Sequence, residues 1–548
     1  MQIKNNHIFL LVLACIMIFF IHLDALWLNV MEVRNFATAR EMLHDNNWIM
    51  TTLNGDPRYQ KPPLPTWITA IFGAIFSIHN IAALRLPAAI TSLILIVCSY
   101  KLAMQFSKDK TYAFLSSLIL GTSFYIVFSG RNGQWDIFTH GFMMVCIYQL
   151  YLFFTSEEKK YQHVLIAAFF FGCSFMSKGP VSLYTLLLPF LIAFGFTFKY
   201  RKLKSRLLPL ALFLVLAFVL SAWWHYYTYL KDPQAVLAIT SNETNNWTNY
   251  NIRPFYYYWS FFTQSGIWTI PAFIGLLYPY LKNKVFDKKA YQFTLIWLVA
   301  SVLLLSIIPE KKSRYLLPVL IPLAMNTGFY IEYLFRNFSS LKNKKETFPV
   351  YFNFGLIALI GLSFSVVGYI LLKDIYTGNW LWFIVLAIVL VVIGIGIVMN
   401  LRRKRIQPVF YLTILFICAV TTFGLPMVKF INVNPEYKSF SILKDWQSKN
   451  DVSIYEYSYF TPEVTWSFGE PIKVLRDGEK VLFPKENNFG ILVEKESTAQ
   501  FYDDYKGYAI KKISDYDINP IPSGNERYSR GLYRDFYIVT ALASIPSK

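Results

Sequence analysis

Apolar residues in this chain gather in long runs instead of the short alternations that mark half-buried helices or strands. Thirteen runs approach the length of a membrane span: 8–24, 82–105, 112–129, 137–155, 163–178, 180–198, 206–226, 259–281, 291–308, 315–335, 349–373, 380–400 and 408–428. A hydrocarbon core about 30 Å thick takes about 20 such residues per helix. The pattern predicts a polytopic α-helical membrane protein with about 13 transmembrane helices. A further apolar stretch at 65–78 is short and begins among Pro62, Pro63 and Pro65, so it reads as lying in the interface. The first run also resembles a signal peptide in length, but Asp24 and Trp27 follow it where a cleavage site needs small residues.

Beyond residue 430 the pattern changes. Charge becomes frequent and no run is long enough to span. Residues 434–450 have helical spacing, and 452–457, 472–475, 489–495 and 535–542 read as strands. Two domains are expected: a transmembrane domain over 1–430, with a long first outer loop at 25–81, and a small soluble α/β domain over 431–548.

Composition sharpens this picture. Of 548 residues, 55% are hydrophobic and 16% charged, which excludes a disordered chain. The five cysteines all sit in apolar runs, which excludes a disulfide scaffold. A net charge of +19 would ordinarily raise nucleic acid as a partner. The charge, however, sits mainly in alternate loops: with Lys4, the inner segments SKDK, SEEKK, KYRKLKSR, KNKVFDKK, RNFSSLKNKKE and LRRKR hold 22 basic and 5 acidic residues. That is the asymmetry of cytoplasmic loops. It points to the lipid bilayer and no nucleic acid, with the N-terminus cytoplasmic and the C-terminal domain on the outer face.

The outer segments then carry the candidate chemistry. Residues 30–43 have helical spacing, and Glu32 and Arg34, two apart, do not share a face. The helix is read either as a solvated interfacial element or as part of a site. Arg58, Tyr59 and Lys61 lie in a stiff proline-rich stretch near membrane re-entry, where two cations suit a phosphate or simply reach lipid headgroups. Asp136 opens the fourth run, either as a helix N-terminal charge or as a second carboxylate for acid/base work. Lys178 interrupts an apolar stretch, and Lys311, Lys312 and Arg314 stand on the outer face against the positive-inside trend, which suggests an anionic ligand. Loop 227–258, rich in Asn, Thr and aromatics, suits either a sugar or an interfacial belt. His22, His140 and His225 lie at run edges and read as polar belt residues. Nucleotide-binding and hydrolase motifs are absent from the sequence, and the inner loops are too short for a nucleotide-sugar site, so a donor delivered within the membrane is expected.

The segments LWLNVMEVRNFATAREML, NGDPRYQKPPLPTW, GQWDIF, SKGP and KKSRYLLP occur in the order found in polyprenyl-phosphate-sugar glycosyltransferases. The chain resembles the bacterial aminoarabinose lipid A transferase family and, more distantly, the protein O-mannosyltransferases. The resemblance implies a GT-C type fold in the cell inner membrane with a periplasmic C-terminal domain. It implies an inverting transfer of a sugar, 4-amino-4-deoxy-L-arabinose or similar, from undecaprenyl phosphate to lipid A or another outer-face acceptor. Within it, Glu32 matches the second acid of a loop-one pair whose first acid is Met31 here. Asp24, Asp136 or Glu32 itself is left to take the catalytic role. Arg34 matches the following arginine. Tyr59, Gln60, Lys61 and Pro62 match an aromatic-Glu-Lys-Pro segment, with Gln60 in place of the acid. The family's divalent metal uses that acid and a late histidine, and no histidine follows His225. Catalysis is assigned to Glu32 and Asp136, donor phosphate binding to Arg58, Lys61, Lys312 and Arg314. Arg34, Tyr59, Gln60, Lys178, Arg253 and Tyr315 are assigned to substrate binding. Protein O-glycosylation and, in a different class, lipid-linked sugar transport are the alternatives.

Overall fold

The computed structural model describes residues 6–200 and 203–542, so Lys4, Arg201 and Lys202 of the basic segments lie outside the described residues. The chain forms two compact units, each discontinuous in sequence. One comprises residues 1–25, 59–371 and 379–428, the other 26–58, 372–378 and 429–548. The C-terminal unit therefore includes two segments that the apolar pattern placed with the first.

The first unit is helical. Among the described residues, seven helices are long and apolar enough to cross a membrane: Ile81–Ser107, Trp135–Thr155, Lys204–Lys231, Lys288–Ile307, Lys344–Leu372, Trp380–Arg402 and Ile406–Val428. Lys110–Gly121 and Phe124–Gly130 make an eighth if a 66° bend is allowed within one span. The expected thirteen are thus not reproduced. The runs at 8–24 and 180–198 give shorter apolar helices, as does the interfacial stretch, at Leu64–Phe76. The run at 259–281 is no single helix. It breaks into a 3-10 segment, Phe261–Trp268, and the short helices Thr269–Gly275 and Tyr278–Leu281. Gly266 takes a left-handed φ of 68°, and Pro271 and Pro279 withhold backbone donors.

Several polar side chains hold this unit together. Arg131 donates to the carbonyls of Ile18 (2.5 Å), Ile21 (2.6 Å) and His22 (2.8 Å), and Arg85 to that of Leu23 (2.7 Å). Two arginines thereby satisfy the carbonyls that the first helix leaves open where it ends in a π turn. Gly141 permits a close helix crossing, since a Cβ there would lie 2.5 Å from Thr91 Cγ2. That crossing fixes the helix carrying Asp136.

The second unit is α/β. Four strands, β1 (Ile454–Glu456), β2 (Asn488–Val493), β3 (Tyr508–Asp517) and β4 (Tyr533–Ala541), form a sheet ordered β1-β2-β4-β3. β1 pairs parallel to β2, and the other pairs are antiparallel. Both faces of β2 are covered: Leu492 packs with Phe440, Leu443 and Phe536, while Ile491 and Val493 pack with Phe501 and Tyr537. The stretch 472–475 contributes only an isolated bridge, Val474 to Glu456. β3, an exposed edge strand rich in charge, has no apolar alternation to announce it.

The helix expected at 30–43 is present as Val30–His44, but it is not solvated: Phe36 is fully buried and Glu32 and Glu41 are 1% and 2% exposed. Within this unit Phe36 meets Trp466 (6.0 Å between rings), and Arg40 donates to the carbonyls of Thr465 (2.9 Å) and Trp466 (3.0 Å). Glu41 accepts from Thr52 Oγ1 (2.6 Å) and from the backbone of Asn54 (2.7 Å) and Gly55 (3.2 Å), fixing the tight Asn-Gly turn there.

Under the sheet, one guanidinium serves two carboxylates. Arg534 lies 2.9 Å from Glu456 Oε2 and 2.9 Å from Glu494 Oε1, all three buried. Burial, aided by the Glu494 charge and opposed by Arg534, pushes the Glu456 carboxyl up to about 7. A folded-state value above the unfolded one means the folded unit binds the extra proton. Its contribution is complete below about pH 4.5 and is lost as pH rises through about 7. Hydrogen exchange of β1 and β2 in the full-length protein should show protection declining over that window, by on the order of 3 kcal/mol. Glu456→Gln should flatten the slope.

Candidate functional site

In the helical unit the chemistry converges on one tyrosine. Asp136 stands in the first turn of helix Trp135–Thr155, and Lys178 ends helix Lys160–Lys178. Gly179, at φ 72°, and Pro180 stop that helix just beyond the lysine. The two side chains form an ion pair, 7% and 9% exposed. Lys178 Nζ also lies over the Tyr315 ring, 5.2 Å from its centre. Lys312 Nζ (5.8 Å) and the Arg314 guanidinium (5.9 Å) flank the same ring. The Tyr315 hydroxyl donates to Glu310 Oε1 (3.1 Å), which also pairs with Lys312 Nζ (2.6 Å). Three cations from two chain segments thus surround one phenol, balanced by two carboxylates. Arg314 Nε is buried without a hydrogen-bond partner. Such a nook favours an anion whose several oxygens meet several donors at once.

Lys311 behaves differently from its neighbours. It is 3% exposed, and its Nζ donates to the carbonyls of Ile308 (2.6 Å) and Arg253 (3.1 Å). The expectation that all three cations of this loop await a ligand is corrected: Lys311 ties its own loop to 251–253. An antiparallel bridge between Ile252 and Glu310 completes that tie. Arg253 takes part through its backbone, and its side chain is exposed.

Elsewhere in this unit, Tyr59 is buried against Trp224 and donates to Asp232 Oδ2 (3.2 Å). Gln60 is exposed and Lys61 half-buried. Asp24 is exposed, close enough to Arg131 to act on its charge. His140, read as a belt residue, is instead 1% exposed, with Nδ1 2.7 Å from Ser182 Oγ. Sequence reasoning missed Glu310 altogether. Its signal in the sequence is an acid directly before a basic run, in a segment that loop charge alone reads as outer.

The α/β unit holds Glu32, Arg34 and Arg58. Glu32 closes a capping box: its Oε2 accepts from Asn29 Nδ2 (2.6 Å) and Asn29 N (3.2 Å), while Asn29 Oδ1 accepts from the Glu32 amide (3.2 Å). Asn29-x-x-Glu32 is legible as that motif. Arg58 is 8% exposed and donates to Thr38 Oγ1 (3.2 Å). Burial and the neighbouring Arg34 charge lower its guanidinium to about 9, and Glu41 opposes them. Arg34 itself is exposed.

Among the described residues no three His, Cys, Asp or Glu side chains gather as metal ligands. The described residues therefore do not fit a carboxylate-histidine metal site.

Known proteins share parts of this chain and its fold. The family of dolichyl-phosphate-mannose-protein mannosyltransferases matches residues 60–225, a segment that includes Asp136 and Lys178. An uncharacterized protein of Aquifex aeolicus is 27% identical over 65% of this chain and 69% of its own. An undecaprenyl phosphate-alpha-4-amino-4-deoxy-L-arabinose arabinosyl transferase of Pseudomonas savastanoi is 26% identical, over 54% of this chain and 55% of the relative. A Proteus mirabilis transferase of the same description is 24% identical over 61% of each. The match thus spans little more than half the length of those transferases. Among solved structures, ArnT from Cupriavidus metallidurans bound to undecaprenyl phosphate superposes with a TM-score of 0.67 at 16% identity, covering 100% of both chains. The archaeal oligosaccharyltransferase AglB of Archaeoglobus fulgidus reaches 0.50, covering 100% of this chain and 75% of AglB. The chain is a multi-span membrane protein with the GT-C fold of ArnT, and it resembles the polyprenyl-phosphate-sugar glycosyltransferases.

Proposed function

We propose that the protein is an inverting glycosyltransferase of the bacterial inner membrane. It moves a sugar from undecaprenyl phosphate to lipid A or a similar outer-face acceptor, with the N-terminus cytoplasmic and the C-terminal unit periplasmic. The observation that carries the reading is the convergence of Lys178, Lys312 and Arg314 on Tyr315 beside Asp136. The arabinosyl transferase relatives support the choice of donor and sugar class.

The acceptor oxygen attacks the anomeric carbon as the bond to the donor phosphate oxygen breaks. The bonding pair stays on the departing polyprenyl phosphate, and one in-line displacement inverts the centre. Negative charge grows on that phosphate, and the cations around Tyr315 meet it without reorganising. Lys61 is assigned to the same phosphate, and Gln60, Tyr59 and Arg253 to substrate contacts around it. Arg34 and Arg58 keep their assignments to substrate and donor.

Asp136 is ion-paired and Glu32 closes a capping box, so neither is poised as a strong base. An acceptor that is already an anion, such as a phosphate of lipid A, needs none. This favours a lipid phosphate over a protein hydroxyl.

The test is purified protein with a polyprenyl-phosphate sugar and either lipid A or a peptide acceptor, with products read by mass spectrometry. Sugar on lipid A supports the reading, and sugar on Ser or Thr selects O-glycosylation. Transport without a covalent product sinks both.

A further inference from the structure

Lys178 sits at the end of a helix followed by Gly179 and Pro180, a turn with few backbone bonds of its own. Gly179 N bonds the Phe175 carbonyl (2.7 Å), Leu183 N bonds that of Pro180 (3.0 Å), and Pro180 has no amide hydrogen to give. Side chains on both flanks of the turn are nevertheless fastened to the facing helix. Before it, Ser174 Oγ donates to the Thr139 carbonyl (2.7 Å). After it, Ser182 Oγ meets His140 Nδ1 (2.7 Å) and reaches the same Thr139 carbonyl (3.3 Å). Thr139, His140, Ser174 and Ser182 are all at most 1% exposed, so water does not compete for these bonds. His140 stands one helical turn after Asp136, on the same face of the helix.

We propose that His140 is a positioning residue: through Ser182 it locks the Gly179–Pro180 turn and so holds Lys178 against Asp136 and over Tyr315. Without the lock, the turn has lost its strongest tie after the glycine, and Lys178 exchanges one fixed ion-paired geometry for several. A misplacement of about 1 Å in a charge that stabilises a transition state costs about 100-fold in rate. This inference rests on the transferase reading for its kinetic consequence, though not for its structural one.

The experiment therefore reads both in the full-length protein. Lys178 labelling by an amine-reactive reagent, followed by peptide mass spectrometry, reports the turn without requiring turnover. His140→Ala and Ser182→Ala should each raise that labelling about tenfold, and the double variant should go no further. His140→Asn, whose amide can still meet Ser182, should stay within about threefold of wild type. In the transfer assay the two alanine variants should lose about 100-fold in kcat with donor KM changed less than about threefold, and His140→Asn should recover most of it.

Unchanged Lys178 labelling in both alanine variants overturns the inference, as does a double variant whose effect is the product of the singles. Labelling that rises as described in a protein that transfers no sugar retains the lock and removes the transferase reading. A variant too unstable to purify is replaced by Ser182→Cys, which keeps the volume and weakens the hydrogen bond.

Discussion

Lys178→Met is expected to lower transfer by about 1,000-fold, about 4 kcal/mol of transition-state stabilisation, as measured by kcat/KM for the polyprenyl-phosphate sugar. Two effects add. The donor phosphate loses the cation lying over Tyr315, and Asp136, 7% exposed, is left as a buried carboxylate without its partner. The second effect also costs stability, about 3–5 kcal/mol for breaking a buried pair by removing one side. Lowered activity alone would therefore not distinguish a functional lysine from a structural one. Asp136→Asn combined with Lys178→Met does. Replacing both charges removes the uncompensated ion and should return the melting temperature close to wild type, because a buried pair contributes little net stability over neutral residues. If Lys178 serves the donor phosphate, the double variant remains as inactive as Lys178→Met. Recovery of activity together with stability would show that the pair only holds the helices. Asp136→Asn alone should lose less rate than Lys178→Met, since Lys178 keeps its place over Tyr315.

How far these roles could be read beforehand depended on the distance over which each is decided. The helix at 30–44 follows from local spacing, and its capping box from Asn29-x-x-Glu32. The breaks at 259–281 are written in Gly266, Pro271 and Pro279, but a run counted for apolar length conceals them. β3 escaped because most of this edge strand is exposed on both faces, so its apolar residues do not alternate and its lysines and aspartates look like a loop. The packing of Arg40 and Asn54 against 465–472 of the same unit rests on contacts more than 400 residues apart, which no periodicity reports. The candidate site divides the same way. That cations at 178 and 311–314 stand out against the loop-charge rule is legible in sequence. Which of them face Tyr315, and that Glu310 joins them, depends on how 251–253 and 308–315 fold together. His140 reads as an edge residue until Ser182, 42 positions away, is placed beside it.

Lys311 and Arg314 are cations of one short loop that sequence treats alike, and the structure predicts that they separate completely. Arg314→Met is expected to cut kcat/KM for the donor by about 100-fold, about 2.7 kcal/mol. Its guanidinium flanks Tyr315, and its Nε, lacking a partner, keeps capacity for a ligand oxygen. Because Arg314 Nε makes no hydrogen bond within the fold, the melting temperature should barely move. Relief of that unsatisfied buried donor offsets part of the packing lost with the side chain. Arg314→Lys should recover part of the rate but not all, since a point charge cannot reproduce a planar fork against phosphate. Lys311→Met reverses the pattern. Its ammonium is spent on the carbonyls of Ile308 and Arg253, and removing it strands those acceptors in a buried loop. Stability should fall by about 2 kcal/mol, with kcat/KM of the folded enzyme within about threefold of wild type. Measured side by side, the melting curves and donor kinetics of the two variants test the assignment directly. Two variants that lose rate and stability in the same proportion would mean that the loop acts as one structural block, and that the cations around Tyr315 are not arranged for a phosphate.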